Sequence, residues 1–185
     1  MLIAKEDPSV GPSFSLRNRV MRQLWNWTWL LLFRPSPRPL HGWRSFLLRA
    51  YGARIGKHVN VYPAVKIWAP WLLTIEDYVG VADGVTLYNM DHIHLGERCV
   101  VSQGSHLCTG SHDYNSRNFQ LVASPITVGR NAWICAEAFI SPGVTLPEGV
   151  VIAPRSVVTR SLATSWTVYA GAPARAIGRR TPQVY

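Results

Sequence analysis

The sequence predicts an all-β fold: a parallel β-helix of stacked triangular coils, preceded by a helical segment and closed by a short C-terminal cap. Two observations carry this. An aliphatic residue recurs every six positions at Val128, Ile134, Ile140, Leu146, Ile152 and Val158. The same phase appears upstream in the triplets Ile55, Val61, Ile67, then Ile75, Val81, Leu87, then Leu95, Val101, Leu107, with extra residues only after the third member. A period of six matches neither the 3.6 of an amphipathic helix nor the plain alternation of one long strand. Flat sides joined by turns satisfy it, and three sides make one coil that stacks on the next through parallel backbone hydrogen bonds. Small or modest residues at Ala132, Ala138, Val144, Val150 and Ser156 suit the tight interior corners. Every insertion then leaves by one corner, and the largest, fifteen residues beyond the repeat, follows Leu107.

The other elements follow in chain order. Residues 15–33 predict a helix, with Leu16, Val20, Leu24 and Leu31 near one face and Arg17, Arg22, Gln23 and Asn26 elsewhere. Pro35, Pro37 and Pro39 stop it. A second short helix is expected over 43–50, ending near Gly52, a residue suited to a left-handed C-cap. The expected division is a basic, Trp-rich helical segment at 1–52, the β-helix at 53–180 with a loop at 109–127, and a tail at 181–185.

A chain of 185 residues that is 48% hydrophobic suits one domain with a real core. The net charge of +9 is concentrated: between Asp7 and Glu76 there are ten basic residues and no acidic one. Such a stretch attracts anionic lipid or anionic sugar intermediates, or is simply a solvated basic face; a nucleic-acid partner is not expected. Trp25, Trp27 and Trp29 beside arginines suit a membrane interface, and equally suit packing on the fold or on a neighbouring subunit. The apolar run at 29–33 is far too short to span a bilayer. Residues 1–11 are broken by Lys5, Glu6, Asp7 and Pro8, so no secretory leader is expected. Cys99, Cys108 and Cys135 are odd in number without CxxC spacing, which points to a reducing, cytoplasmic setting.

The strings GARIGKHV, YNMDHIHLGERCVVSQGSHLCTGSHDY, PITVGRNAWICAEAFISPGVTLPEGVVIAPRSVVTR and AGAPARAIGRR resemble the hexapeptide-repeat acyltransferases over residues 52–180. Within that family they are most similar to sugar O-acetyltransferases of the colanic-acid and exopolysaccharide type. The resemblance implies a left-handed coil, a homotrimer with active sites between subunits, acetyl-CoA as cosubstrate, no metal, and a hydroxyl acceptor on a sugar, polysaccharide or lipid-linked glycan precursor.

Counting from Leu107 sets Ser111 at the small interior position and His112 next, turned outward where the long insertion begins. Acetyl transfer from a thioester to an alcohol needs a base for the hydroxyl proton and donors for the oxyanion. Imidazole suits the first task near neutral pH, so His112 is expected to be the general base. The thioester is already activated, which favours direct transfer in a ternary complex over a covalent intermediate. His58, His92, His94 and His106 are expected to be structural or solvated. Multiple histidines on a β-helix also resemble the γ-class carbonic anhydrases, but His106 and His112 lie on consecutive sides and should diverge. Cys108 occupies an ordinary repeat position, which disfavours a nucleophilic role.

Acceptor contacts are expected from Asn89 and Asp91 in the insertion one coil below, where a turn-forming role competes, and from Asp113 and Tyr114. Many sugar acetyltransferases carry a glutamate in the long loop, whereas residues 113–125 hold no acid except Asp113, so a simple maltose- or galactoside-like acceptor is not implied. By resemblance, Ala136, Pro154, Thr159, Arg160 and Arg175, with Arg179 assisting, match positions that contact the coenzyme. A serine- or amino-directed acyltransferase on the same scaffold is the competing reading, and a zinc enzyme the more distant one.

Overall fold

The computed structural model describes residues 11–182, so the first ten residues and the end of the expected tail lie outside the described residues. Its helix α1 runs Leu16–Thr28, with the Ser15 hydroxyl accepting from the Asn18 backbone N–H at 3.3 Å. It continues as a wider π-type turn over Trp29–Phe33, and α2 follows at His41–Ala50. Gly52 closes α2 at φ +89°, a conformation that glycine adopts without steric cost. Between the helices, the fully buried Arg44 donates to the carbonyls of Val61, Pro37 and Arg38 and to the Ser36 hydroxyl. One guanidinium thereby satisfies the carbonyls of the proline-rich turn and fastens it to the first coil.

From Arg54 the chain winds as the hexads require, and the three sides are parallel sheets. Ile55, Ile75, Leu95, Val128 and Leu146 stack in register on the first side. Val61, Val81, Val101, Ile134, Ile152 and Tyr169 stack on the second. Ile67, Leu87, Leu107, Ile140 and Val158 stack on the third. All but Ile55 in these columns are buried and form one continuous core. The expected corner residues Ala132, Ala138, Val144, Val150 and Ser156 are buried with them.

The first corner shows how tightly the coils stack. A Cβ at Gly96 would lie 2.7 Å from the Arg130 nitrogen, and one at Gly129 equally close to the Glu148 nitrogen. His58, Tyr78, Arg98, Asn131 and Gly149 stack there in the left-handed region, one per coil. All insertions leave at the third corner: the short helix Pro70–Leu72, the segment around Asn89, and a hairpin of Gly110–His112 paired antiparallel with Leu121–Ala123. At the far end, Thr167–Gly171 extends the second side and Ala174–Arg179 folds back antiparallel beside it.

α1 docks on the third side through its indoles. The Trp25 N–H donates to the Ile67 carbonyl at 2.7 Å and the Trp29 N–H to the Val65 carbonyl at 2.8 Å. Two of the three clustered tryptophans thus hold the helix to the solenoid, while Trp27 is exposed. Among the described residues no helix is long and apolar enough to cross a membrane.

Candidate active site

The site is built at the third corner on the third coil. Thr109 is the last interior residue before the chain leaves the wall. Its hydroxyl donates to the Tyr88 carbonyl at 3.0 Å and accepts from the Asp91 backbone N–H at 2.9 Å, so the hairpin root is fastened to the insertion one coil below. Gly110 follows in close quarters: a Cβ there would lie 2.6 Å from the Met90 sulfur, so a larger residue would require that side chain to move.

Counting hexads to Ser111 fails at this point. Ser111 is exposed and pairs with Val122 in the hairpin, because the chain has already exchanged the coil's parallel ladder for antiparallel pairing. His112 next to it is exposed as well, at the outer end of the hairpin strand. Its Nδ1 lies 2.8 Å from the Phe119 carbonyl, and its ring stacks on the Phe119 ring at 4.4 Å and 8°. A carbonyl only accepts, so Nδ1 carries the hydrogen, and whenever the ring is neutral its lone pair is on Nε2. This arrangement can take a proton from a hydroxyl brought to the corner.

Around it, Asp113 is exposed and its side chain accepts from the Asn115 N–H at 3.0 Å, while Tyr114 beside it is 81% exposed. The half-buried Asp91 accepts from the His92 N–H at 2.7 Å. Asn89 is placed differently from an acceptor contact. It is fully buried, its Oδ1 accepts from the Trp68 and Ala69 N–H groups, and its Nδ2 donates to the Ala69 carbonyl. Its amide is spent on the corner below, the turn-forming role that competes with acceptor binding, and no part of it faces solvent.

The expected donor residues fall on separate edges. Ala136 and Pro154 stack one coil apart at the second corner, where the Arg155 N–H donates to the Ala136 carbonyl at 3.0 Å. The turn leading to Arg175 sits over the same edge, held by the Gly171 N–H on the Ser156 hydroxyl at 3.2 Å. Thr159 and Arg160 are exposed at the third corner, above the hairpin root on the His112 edge. Arg179 pairs with Thr167 at the other end of its strand, so it is not brought to Arg175.

The remaining histidines and cysteines separate from this chemistry. His94 pairs with Glu76 at 2.9 Å and His92 lies 3.1 Å from the Thr74 hydroxyl. His106 stands on the third side between Tyr88 and Phe139, its pKa lowered by burial, and does not converge with His112. The Cys108 thiol donates to the Gly110 carbonyl at 3.2 Å, and burial raises its pKa, which keeps it protonated rather than nucleophilic.

Among family models the chain finds no match. Among curated proteins it is 44% identical over 172 residues to WcaF of Escherichia coli strain K12, which bears the name of a colanic acid biosynthesis acetyltransferase; the match covers 93% of this chain and 94% of that one. The chain belongs to the hexapeptide-repeat acetyltransferases. A maltose O-acetyltransferase from Clostridium difficile 630 superposes on it with a TM-score of 0.83 at 22% identity, covering 91% of this chain and 90% of that one. A hexapeptide-repeat acetyltransferase from Vibrio cholerae, complexed with acetyl coenzyme A, superposes at 0.82 with 22% identity and 91% coverage of both chains. Superposition preserves chirality, so the acetyltransferase winds with the hand of its family.

Two contributors to the acetyltransferase corner escape the sequence reading. Phe119 acts through its carbonyl and its ring, and nothing in its residue type announces that its backbone, at φ +45°, turns back onto His112. Thr109 occupies a routine interior position, and its bridging role depends on a carbonyl and an N–H twenty residues away in the chain.

Proposed function

We propose that this acetyltransferase moves an acetyl group from acetyl-CoA to a hydroxyl of a sugar or of a polysaccharide or lipid-linked glycan precursor, with His112 as general base. The observation that carries this reading is the contact of His112 Nδ1 with the Phe119 carbonyl at 2.8 Å on an exposed hairpin corner, which leaves Nε2 to serve as the base. The acceptor O–H gives its proton to Nε2 as its oxygen attacks the thioester carbonyl. The tetrahedral oxyanion then collapses, the C–S bond breaks, and the His112 imidazolium returns the proton to the departing thiolate. Both substrates are bound when this happens, so positioning supplies much of the rate.

Donor contacts from Ala136, Pro154 and Arg175 lie across one full side of the coil from His112, while Thr159 and Arg160 share its edge. In the proposed homotrimer the second corner of one subunit meets the hairpin of the next, which joins the two sets in one cleft. Asp113, Tyr114 and the free face of Asp91 are the acceptor contacts in this reading. The enzyme works in the cytoplasm, peripheral to the membrane through residues 15–33.

The test is a screen with acetyl-CoA against hydroxyl and amine acceptors, followed by release of free thiol and by alkali treatment of the product. Thiol release that requires a glycan hydroxyl and yields an alkali-labile ester agrees with this reading. An alkali-stable amide would transfer the assignment to amino-directed acylation.

A further inference from the structure

Among the described residues, nothing packs on the outward surface of the two helices. Along α1, Leu16, Val20, Leu24 and Trp27 are exposed, and Leu31 continues the row at 68% exposure. At 100° per residue the members of this row within α1, Leu16, Val20, Leu24 and Trp27, centre about 180° around the helix from Arg22 and Trp25, which face the solenoid. The helix therefore carries two apolar stripes back to back, and only one is used for packing. The unused stripe continues onto α2. Trp43 stacks on Phe46 at 5.7 Å and donates its N–H to the Leu32 carbonyl at 3.0 Å, and Phe46 is 57% exposed.

The charges around this surface choose its occupant. Arg17 and Arg19 are exposed on α1 and Arg34 just beyond it, and the sequence between Asp7 and Glu76 holds no acidic residue. A second copy presenting the same surface would bring like charges together. A bilayer with anionic headgroups instead meets both components: arginines at the phosphates, leucines and indoles at the acyl boundary. We propose that the outer face of α1 and α2 docks on a membrane rich in anionic phospholipid.

The placement suits the reading of the enzyme as acting on a glycan precursor, on which the purpose of docking rests. α1 lies against the third side at the first coil, bonded to Ile67, and the His112 hairpin leaves that side after Leu107, two coils on. At about 4.8 Å per coil, the two are on the order of 10 Å apart along the axis, so docking would hold the hairpin corner near the headgroup layer.

The experiment is co-sedimentation of the full chain with vesicles of phosphatidylcholine alone or mixed with phosphatidylglycerol. It compares wild type with Leu24→Glu/Leu31→Glu and with Arg17→Glu/Arg19→Glu. Wild type is expected to bind the anionic vesicles, less so as salt rises. The leucine pair should weaken partitioning by about a hundredfold or more, and the arginine pair should remove the preference for phosphatidylglycerol. Thiol release with a soluble acceptor should be unchanged in both variants, which separates failure of docking from failure of the acetyl-transfer reading. Equal sedimentation of wild type and both variants would overturn the proposal. So would a change in oligomeric mass in the leucine variant, which would assign the face to contacts between copies.

Discussion

Replacing Asn89 by alanine separates two roles that the residue type alone leaves open. The Asn89 amide is fully buried and makes three hydrogen bonds to the backbone at Trp68 and Ala69. The losses are unequal. The Trp68 N–H also donates to the Leu87 carbonyl, and the Ala69 carbonyl also accepts from the Leu72 N–H. Ala69 N–H alone is left without an acceptor, in a residue that is itself fully buried. An orphaned buried donor costs about 1–3 kcal/mol and each of the other two bonds roughly 0.5–1 kcal/mol, giving a total near 3 kcal/mol. For a chain of this size that lowers Tm by roughly 6–12 °C. The assay pairs thermal unfolding with acceptor KM, measured well below the midpoint. The structure predicts the drop in Tm with KM changed by less than about threefold, since no part of the side chain faces the acceptor. A variant that melts within about 2 °C of wild type while KM rises tenfold or more would refute the reasoning and return Asn89 to the acceptor site.

Three further outcomes follow from neighbouring residues. Phe119→Ala keeps the carbonyl but removes the ring stacked on His112, so kcat should fall about five- to tenfold with KM for acetyl-CoA unchanged, read from initial rates of thiol release. His106 has a lowered pKa because burial disfavours its imidazolium. The unfolded chain then binds that proton more readily, so stability is whole above the unfolded value near 6.5 and is lost as pH falls below it. His106→Phe should therefore flatten the decline of Tm between about pH 7 and pH 5. Cys108→Ser should retain transfer within about twofold, and the wild-type thiol should react slowly with a disulfide reagent, because burial holds it protonated.

Much of the architecture is legible in the sequence, because one aliphatic residue per six-residue side is a local rule that the core enforces at every turn. Ile134 and Ile140 announce their neighbours Val101 and Leu107 a coil away with no further information. The rule stops where the ladder stops. Ser111 follows the count and not the structure, since antiparallel pairing in the hairpin overrides the phase at Gly110. Residues 15–33 read as a helix, but the periodic apolar face of Leu16, Val20, Leu24 and Leu31 is the exposed one. Trp25, Trp29 and Phe33 make the contact, because an indole buries more surface and also donates to an edge carbonyl of the solenoid. At the third corner, the exposure of His112 where the insertion begins is legible from the hexad count. Asn89 is not, since an amide between a wall and an insertion can face either way and only the location of the Ala69 backbone decides. The residues expected to contact the donor do not share an edge, because motifs report sequence order and corners report coil position.

In the proposed mechanism, His112 takes the acceptor proton. This step is tested most directly by measuring kcat for acetyl transfer in His112→Ala, with binding of coenzyme A measured on the same preparation. Loss of general base catalysis should lower kcat by about 10²–10⁴-fold while the affinity for coenzyme A stays within about twofold. A variant that transfers acetyl at the wild-type rate would contradict the account.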